Sequence, residues 1–295
     1  MIKQIYKNRF AVIFIFLLIV LILALFCYLP NRLYYPKIIW IYWDDIELPH
    51  NIDLIKKHNK DKLKDWTVKY LNINTLKKYI PDSAYNSNYS DLVPANKSDW
   101  IRLYLIYTYG GCWLDAGIIL NSATELNKIY DDTVNKQSYM TVFKTAEKSA
   151  TFRHSSGVDL PLVVDSWFIM APKRSYVVKA WLDEFTYAMD YGFLNYKRNL
   201  IKEGTNISKI HFKNEEDTYL MVHMCIQRVL QKKLTYIPSL IILDSGTSML
   251  KIQNACNWKD DCIADKINND PASKSLPFIK LTGSNRESNI DKYFI

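Results

Sequence analysis

The most informative stretch of this 295-residue chain is Ser98-Asp-Trp-Ile-Arg-Leu-Tyr-Leu-Ile-Tyr-Thr-Tyr-Gly-Gly-Cys-Trp-Leu-Asp115. Before its two glycines the only charged residues are Asp99 and Arg102, and the other positions are apolar or aromatic on nearly every side. This pattern predicts a helix over 98–109 that is buried on most sides. The glycines end that helix, and the short apolar segment after them predicts a strand that finishes at Asp115.

The rest of the chain alternates short apolar runs with helical patterns. We expect strands at 37–43, 66–71, 166–170 and 235–243, and helices at 74–79, 176–187 and 215–230. Strands that alternate with helices predict an α/β sheet with helices packed on both faces. No internal repeat or second domain is evident in the pattern.

Asp99, Arg102 and Asp115 are the candidate site. Asp99 and Arg102 are three residues apart, so they share one helix face. Two interpretations remain open for this pair. Either the two side chains neutralise each other, with Ser98 or Asp99 also capping the helix, or they face a cleft and bind the hydroxyls of a sugar. Asp115 favours the cleft, because open α/β sheets bind ligands at the carboxyl ends of their strands.

The Ser-Asp-x-x-Arg…Tyr-Gly-Gly-x-Trp-x-Asp pattern resembles the glycosyltransferases that have a sugar-binding DXD region. It resembles still more closely the capsular polysaccharide synthesis protein family, in which this block commonly ends in Trp-x-Asp-Ala, as residues 113–116 do here. Weaker similarity extends over 36–43, 165–171, 219–223 and 277–282. The resemblance therefore covers most of the chain beyond residue 35.

The resemblance implies a GT-A-like (Rossmann-like) mixed sheet flanked by helices. It implies a hexosyltransferase that moves a sugar from a nucleotide-diphosphate sugar to a glycan, glycoprotein or glycolipid, with retention of anomeric configuration. By position, Asp99 and Arg102 would hold the donor sugar, and Asp115 would be catalytic and serve the ribose and the metal–diphosphate region. Asp165, at the position near the acceptor, would orient the acceptor hydroxyl, although an Asp at a strand end is also a common structural feature.

Three further residues are weighed with this site. Trp43 could stack on the donor base, because the first strand leads into the nucleotide pocket in this fold. Lys280 is a candidate partner of the diphosphate, and a solvated surface lysine is the alternative. His223 lies among apolar helix residues, so we expect it in the core or at an interface rather than in catalysis.

The second acid of the DXD pattern is replaced by Gly117. A divalent cation, Mn²⁺ or Mg²⁺, requires several oxygen ligands, and Asp115 alone supplies few. Either another group completes the metal site, or Lys and Arg side chains stabilise the diphosphate instead. The same departure motivates an alternative function, a non-catalytic membrane-anchored protein that binds a carbohydrate or nucleotide.

The N-terminal region predicts a membrane anchor. Residues 10–29 are uncharged and long enough to span a hydrocarbon layer of about 30 Å. We therefore expect a cytoplasmic tail at 1–9, a transmembrane signal-anchor at 10–29, a stem at 30–35 and a catalytic domain at 36–295. Basic residues before the span predict a type II protein whose catalytic domain is lumenal or external, in a Golgi-like compartment or a cell envelope.

The net charge and the cysteines add little to the prediction of function. The net charge of +8 suits an anionic partner, but the lysines are dispersed and no nucleic-acid-binding motif is present, so nucleic acid is not an expected partner. Cys256 and Cys262 could close a small disulfide loop or remain free thiols.

Overall fold

The computed structural model describes residue 18 and residues 32–145, 151–161 and 163–295. It divides into two units, Met1–Leu33 and Tyr34–Ile295. All of the strands and helices named below belong to the second unit.

The strands of the described residues form one large sheet and two small ones. Their bounds are β1 Ile38–Tyr42, β2 Thr67–Leu71, β3 Gly111–Leu114, β4 Ile118–Leu120, β5 Met140–Lys144, β6 Thr151–Arg153, β7 Asp159–Pro161, β8 Val164–Ala171, β9 Leu240–Asp244 and β10 Phe278–Lys280. The large sheet has the order β2-β1-β3-β8-β5-β9. Strand β8 is antiparallel to β3 and β5, and the other neighbours are parallel, so the sheet is mixed.

Helices cover both faces of this sheet. Those described are α1 His50–Lys60, α2 Ile73–Leu76, α3 Pro94–Tyr109, α4 Ala123–Asn135, α5 Tyr176–Tyr191, α6 Phe193–Lys202, α7 Met221–Lys232, α8 Lys251–Ala255, α9 Asp260–Asn269 and α10 Pro271–Ser275. Alternate residues of β1 enter different cores: Trp40 packs in the cluster that contains α3, α5 and α7, whereas Ile39 packs in the cluster that contains α4. The strand is buried on both sides, which explains its continuous apolar sequence.

Most predicted elements are present, with shifted ends. Helix α3 begins at Pro94, four residues before the predicted start, because proline is well suited to the first helical position. Ser98 therefore lies inside the helix. It does not cap the helix, contrary to the interpretation in which Ser98 is a capping residue. The predicted 215–230 helix begins only at Met221, and the predicted 235–243 strand begins only at Leu240.

The structure contradicts the membrane-spanning part of the predicted fold class and the predicted type II location. No helix among the described residues is long and apolar enough to cross a bilayer. Helices α3 and α5 each have 16 residues, which gives a length of about 24 Å against the roughly 30 Å of hydrocarbon. The predicted anchor at 10–29 lies outside the described residues except for Leu18, and the predicted domain boundaries stay a prediction.

The turn between α3 and β3 depends on glycine. Gly110 and Gly111 have φ of +73° and +97°, a region that side-chain-bearing residues rarely adopt. A Cβ atom on Gly111 would lie 2.5 Å from the carbonyl oxygen of Ile38 in β1. The close approach lets β3 pair with β1 immediately after the helix ends, and it fixes the position of Asp115 at the end of β3.

Candidate functional site

A cleft with a volume of about 620 Å³ lies where β1, β3 and β5 end and β8 begins. These ends meet at one edge because β8 runs antiparallel to its neighbours. The residues of its lining that matter below are Trp43, Asp99, Arg102, Asp115, Thr145, Asp165, Ser166, His223, Trp258, Lys280 and Arg286. All six residues of the predicted site are among them.

Arg102 lies at the centre of this cleft. Its Nη2 is 3.2 Å from Asp99 Oδ1, and its Nη1 is 3.5 Å from Asp115 Oδ1. Nη1 also donates a hydrogen bond of 2.7 Å to Ser166 Oγ at the start of β8. The predicted convergence of the three charged residues is therefore present. Both interpretations of the helix pair hold in part, because Asp99 and Arg102 bind each other and also line the cleft.

Asp115 is held by cations on both oxygens. Its Oδ2 is 3.1 Å from Lys280 Nζ, and its Oδ1 accepts a hydrogen bond of 2.9 Å from Trp113 Nε1. Burial raises the pKa of Asp115, but Lys280, Arg102 and Trp113 outweigh it and hold the pKa well below its usual range. Asp115 is therefore an ionised carboxylate that positions two cations.

Lys280 is buried, with 4% of its surface exposed, so the alternative of a solvated surface lysine is excluded. It reaches the site because β10 pairs antiparallel with β4, which places Lys280 opposite Ile118, just past Asp115. Its Nζ also donates a hydrogen bond of 2.9 Å to the carbonyl of Leu281. Burial lowers its pKa, while the Asp115 carboxylate acts in the opposite direction.

Asp165 lines the cleft and has one buried oxygen without a hydrogen-bond partner among the described residues. Its Oδ1 accepts a hydrogen bond of 3.1 Å from Thr145 Oγ1, whereas its buried Oδ2 has no hydrogen-bond partner among the described residues. Burial raises the pKa of Asp165 to about 7. Asp99 behaves similarly: burial raises its pKa to about 7 although Arg102 is adjacent. Near neutral pH both groups are therefore partly protonated and can donate a hydrogen bond.

We expect Asp165→Asn to make the protein more stable than wild type at pH 7 and equally stable near pH 4. The folded state binds the Asp165 proton more tightly than the unfolded state, so the free energy of unfolding falls as pH rises from the ordinary pKa of 3.8 to about 7. The slope of this loss is roughly 1 kcal/mol per pH unit. Urea unfolding of both proteins across this range measures the difference. A difference that is constant with pH would contradict the raised pKa.

Trp43 lies beside a second, smaller pocket of about 80 Å³ that adjoins the cleft. Trp43 and Tyr70 line this pocket. The Trp43 Nε1 and the Tyr70 hydroxyl are buried, and neither has a hydrogen-bond partner among residues 32–145, 151–161 and 163–295. Arg286 lines the cleft next to Trp43, with its Cζ 5.4 Å from the centroid of the Trp43 ring. An aromatic lining that contains two buried donors without partners is suited to a flat, polar group.

Three residues of the cleft were missed or undervalued in the sequence. His223 was expected in the core or at an interface, yet it lines the cleft, and its buried Nδ1 has no partner in the described part of the chain. Burial and the nearby Arg102 lower its pKa to about 4, so the imidazole is neutral at pH 7. Arg286 follows β10 in a turn, and no local sequence signal marks it. Trp258, half exposed, belongs to the loop that Cys256 and Cys262 close with a disulfide.

The residues around Asp115 do not fit a divalent cation. Both Asp115 oxygens already face cationic side chains, and among the described residues no group of three or more His, Cys, Asp or Glu converges on a point. A Cβ on Gly117 would lie 2.9 Å from the Leu281 carbonyl oxygen and 3.2 Å from Arg286 Cδ. The place of a second acid is therefore filled by the C-terminal segment.

The sequence model of the capsular polysaccharide synthesis protein family matches residues 29–261. The chain belongs to this family. The match includes five of the six predicted site residues and confirms the family expected from the Trp-x-Asp-Ala block. The DXD detail has no counterpart, since Gly117 stands at the second acid.

Two curated relatives match this capsular polysaccharide synthesis family member over shorter stretches. The chain is 26% identical over 133 residues to an O-glycosyltransferase, PaGT, of Phomopsis amygdali. This alignment covers 41% of this chain and 30% of the relative. It is 30% identical over 134 residues to the glycosyltransferase afumC of Aspergillus fumigatus (strain CBS 144.89 / FGSC A1163 / CEA10), covering 41% of this chain and 31% of the relative. The aligned stretches thus span about a third of the relatives' length, and both names agree with the predicted class of function.

Solved structures also resemble the chain. A glycosyltransferase involved in glycosylation of the major capsid of PBCV-1 aligns with 11% identity and a TM-score of 0.41, covering 88% of this chain and 99% of the other. The PaToxG glycosyltransferase aligns with 14% identity and a TM-score of 0.37, covering 88% and 85%.

Proposed function

We propose that this protein is a glycosyltransferase that moves a hexose from a nucleotide-diphosphate sugar to a glycan or glycoconjugate acceptor, with retention of anomeric configuration. The observation that carries the proposal is the convergence of Asp99, Arg102, Asp115, Asp165 and Lys280 in one cleft at the edge of the sheet. Membership of the capsular polysaccharide synthesis family and the names of the two curated relatives support the same class of reaction.

The charges of the cleft suit a diphosphate. Arg102, Lys280 and Arg286 are cations, and Asp115 is the carboxylate among them that stays ionised. Asp99 and Asp165 have pKa values of about 7, so they carry only part of a negative charge. The remaining carboxylates of the lining, Asp44 and Asp45, are half-buried and exposed, so water screens them. The interior of the cleft is positive, which favours an anionic ligand.

The remaining polar groups suit sugar hydroxyls. Asp99 lines the cleft beside Arg102, whose N–H groups are already engaged by Ser98 and Ser166 and by the Asp99 and Asp115 carboxylates. Arg102 therefore holds Asp99 in position, in keeping with a role of Asp99 in holding the donor sugar. Asp165 and the neutral His223 both line the cleft, and each has one buried polar atom, Oδ2 and Nδ1, without a partner among the described residues. Asp165 is the proposed site of contact with the acceptor hydroxyl. Trp43 and its small pocket are a suitable place for the nucleotide base.

We expect Asp115→Asn to lower sugar transfer about 10²- to 10³-fold. The amide has one acceptor oxygen, and its NH₂ group would face one of the two cations that Asp115 now holds. Initial rates with the donor identified below measure the loss, and circular dichroism checks the fold. Asp183→Asn is the matched control, because Asp183 pairs with Lys179 on an exposed helix surface. Transfer within about threefold of wild type would contradict the role of Asp115.

The full-length protein should be screened against UDP- and GDP-sugars by thermal shift and by release of the nucleoside diphosphate. A rise in melting temperature together with hydrolysis above a buffer blank would support the proposal and identify the donor. The alternative, a non-catalytic binding protein, predicts a thermal shift without hydrolysis or transfer. The absence of both signals with every UDP- and GDP-sugar would contradict a transferase that uses these donors.

A further inference from the structure

We propose that this protein binds and stabilises the donor diphosphate without a metal ion, through a cationic cradle formed by Lys280 and Arg286 beside Arg102. The proposal rests on the proposed function and names the groups that would oppose the charge of the leaving diphosphate. It follows from the position of the C-terminal segment, which occupies the space where a second metal-binding acid would project.

The surroundings of Gly117 show that a second metal-binding acid does not fit here. Its carbonyl oxygen accepts a hydrogen bond of 2.8 Å from the amide of Leu281, so its backbone is paired to the segment that follows β10. A side chain at this position would meet the Leu281 carbonyl at 2.9 Å and the Arg286 side chain at 3.2 Å. An aspartate at 117 is therefore incompatible with the present course of the segment, because its Cβ alone would clash with the Leu281 backbone and press on the Arg286 side chain.

Arg286 is held in place but keeps its terminal nitrogens for a ligand. Its carbonyl accepts a hydrogen bond of 2.8 Å from Asn51 Nδ2 in α1, and its Nε donates to the carbonyl of Gly283 at 3.3 Å. Within the described chain no ion pair or hydrogen bond engages its two terminal nitrogens. The guanidinium carbon lies 5.4 Å from the centroid of the Trp43 ring, a cation–π contact that helps to hold the side chain at the cleft.

Lys280 supplies the second cation. Two of its three hydrogens are directed to Asp115 and Leu281, at 3.1 Å and 2.9 Å, which leaves one for a ligand in the cleft. Asp115 keeps this buried ammonium in position, so it acts as the partner of the cradle rather than as a metal ligand. A fixed cationic site of this kind stabilises developing negative charge without rearrangement during the reaction.

The chemical step is a substitution at the sugar carbon that bears the diphosphate. The bond between this carbon and the diphosphate oxygen breaks, and its electron pair stays on that oxygen, where Lys280 and Arg286 face it. The oxygen of the acceptor hydroxyl bonds to the sugar carbon, and its proton leaves with the diphosphate. Atoms and charge balance without a metal or a redox partner.

Equilibrium binding of UDP and of GDP to the full-length protein tests the proposal, in EDTA and in excess Mn²⁺ or Mg²⁺. We expect the nucleotide that binds to have the same affinity in EDTA and in metal. Arg286→Gln should weaken binding about 10- to 100-fold, the effect of losing a charged hydrogen bond. Arg286→Lys should recover part of the loss, and Arg198→Gln should bind as wild type, because Arg198 is exposed and does not line the cleft.

Each other outcome overturns a definite part of the proposal. Binding that disappears in EDTA and returns with Mn²⁺ would refute the metal-free cradle and leave the proposed transferase intact. Unchanged binding by folded Arg286→Gln would remove Arg286 from the site. Failure of UDP and GDP to bind under every condition, with failure of their sugars to shift the melting temperature, would refute a proposed function that uses UDP- or GDP-sugars, and the cradle with it.

Discussion

Arg102→Met is expected to lower the free energy of unfolding by about 3 to 5 kcal/mol, the usual cost of removing one partner from a buried ion pair. Arg102 is 8% exposed at its side chain and faces Asp99 and Asp115 at 3.2 Å and 3.5 Å. Methionine fills a similar volume but leaves both carboxylates without this partner, and it leaves Ser166 Oγ without its donor. Urea unfolding at pH 8 measures the loss.

The pH dependence of this loss separates charge from packing. Protonation of Asp99, whose pKa is about 7 even in the wild type, removes one unpaired charge from the variant. The deficit should therefore be smaller at pH 5 than at pH 8. Arg198→Met, at an exposed position, is the control and should change stability little. A deficit below about 1 kcal/mol would indicate a solvated pair of little energetic value.

Gly111→Ala is expected to lower the free energy of unfolding by about 3 to 5 kcal/mol, from a backbone outlier and a steric clash together. The φ of +97° strains any residue that carries a Cβ. That Cβ would also lie 2.5 Å from the Ile38 carbonyl, and this oxygen belongs to a neighbouring strand that cannot move without disturbing the sheet. Chemical unfolding of the purified variant, or its failure to accumulate as folded protein, measures the effect.

Gly204→Ala is the matched control for this clash. Gly204 has a similar φ of +75°, but a Cβ there meets no atom within 4 Å. Its alanine variant should lose only the conformational part, about 1 kcal/mol. Equal losses in the two variants would mean that the contact with β1 contributes nothing. Because Gly111 also sets the position of Asp115, folded Gly111→Ala should transfer sugar more slowly than wild type.

Local pattern was sufficient for the elements with strong periodicity. The apolar helix that contains Asp99 and Arg102, the strand that ends at Asp115 and the first strand all lie within a few residues of their predicted positions. Helix α4 and strand β5 were not predicted, and neither was β10, whose 3 residues give too short a signal. The membrane anchor was predicted from residues outside the described chain, and the structure does not support it.

The sequence pattern alone predicts an α/β sheet, because strands alternate with helices, and the family resemblance adds that the sheet is mixed. The sequence pattern also predicts the trio of Asp99, Arg102 and Asp115, because their spacing fixes a shared helix face and a strand end. The rest of the site depends on long-range contacts: the family resemblance named Lys280 as a candidate, but its burial against Asp115 and the presence of Arg286 follow only from the fold. Lys280 and Arg286 come from a segment about 165 residues later, and pairing of β10 with β4 brings them to Asp115. That same pairing fills the space beside Gly117, and contacts between distant segments have no signature in local sequence.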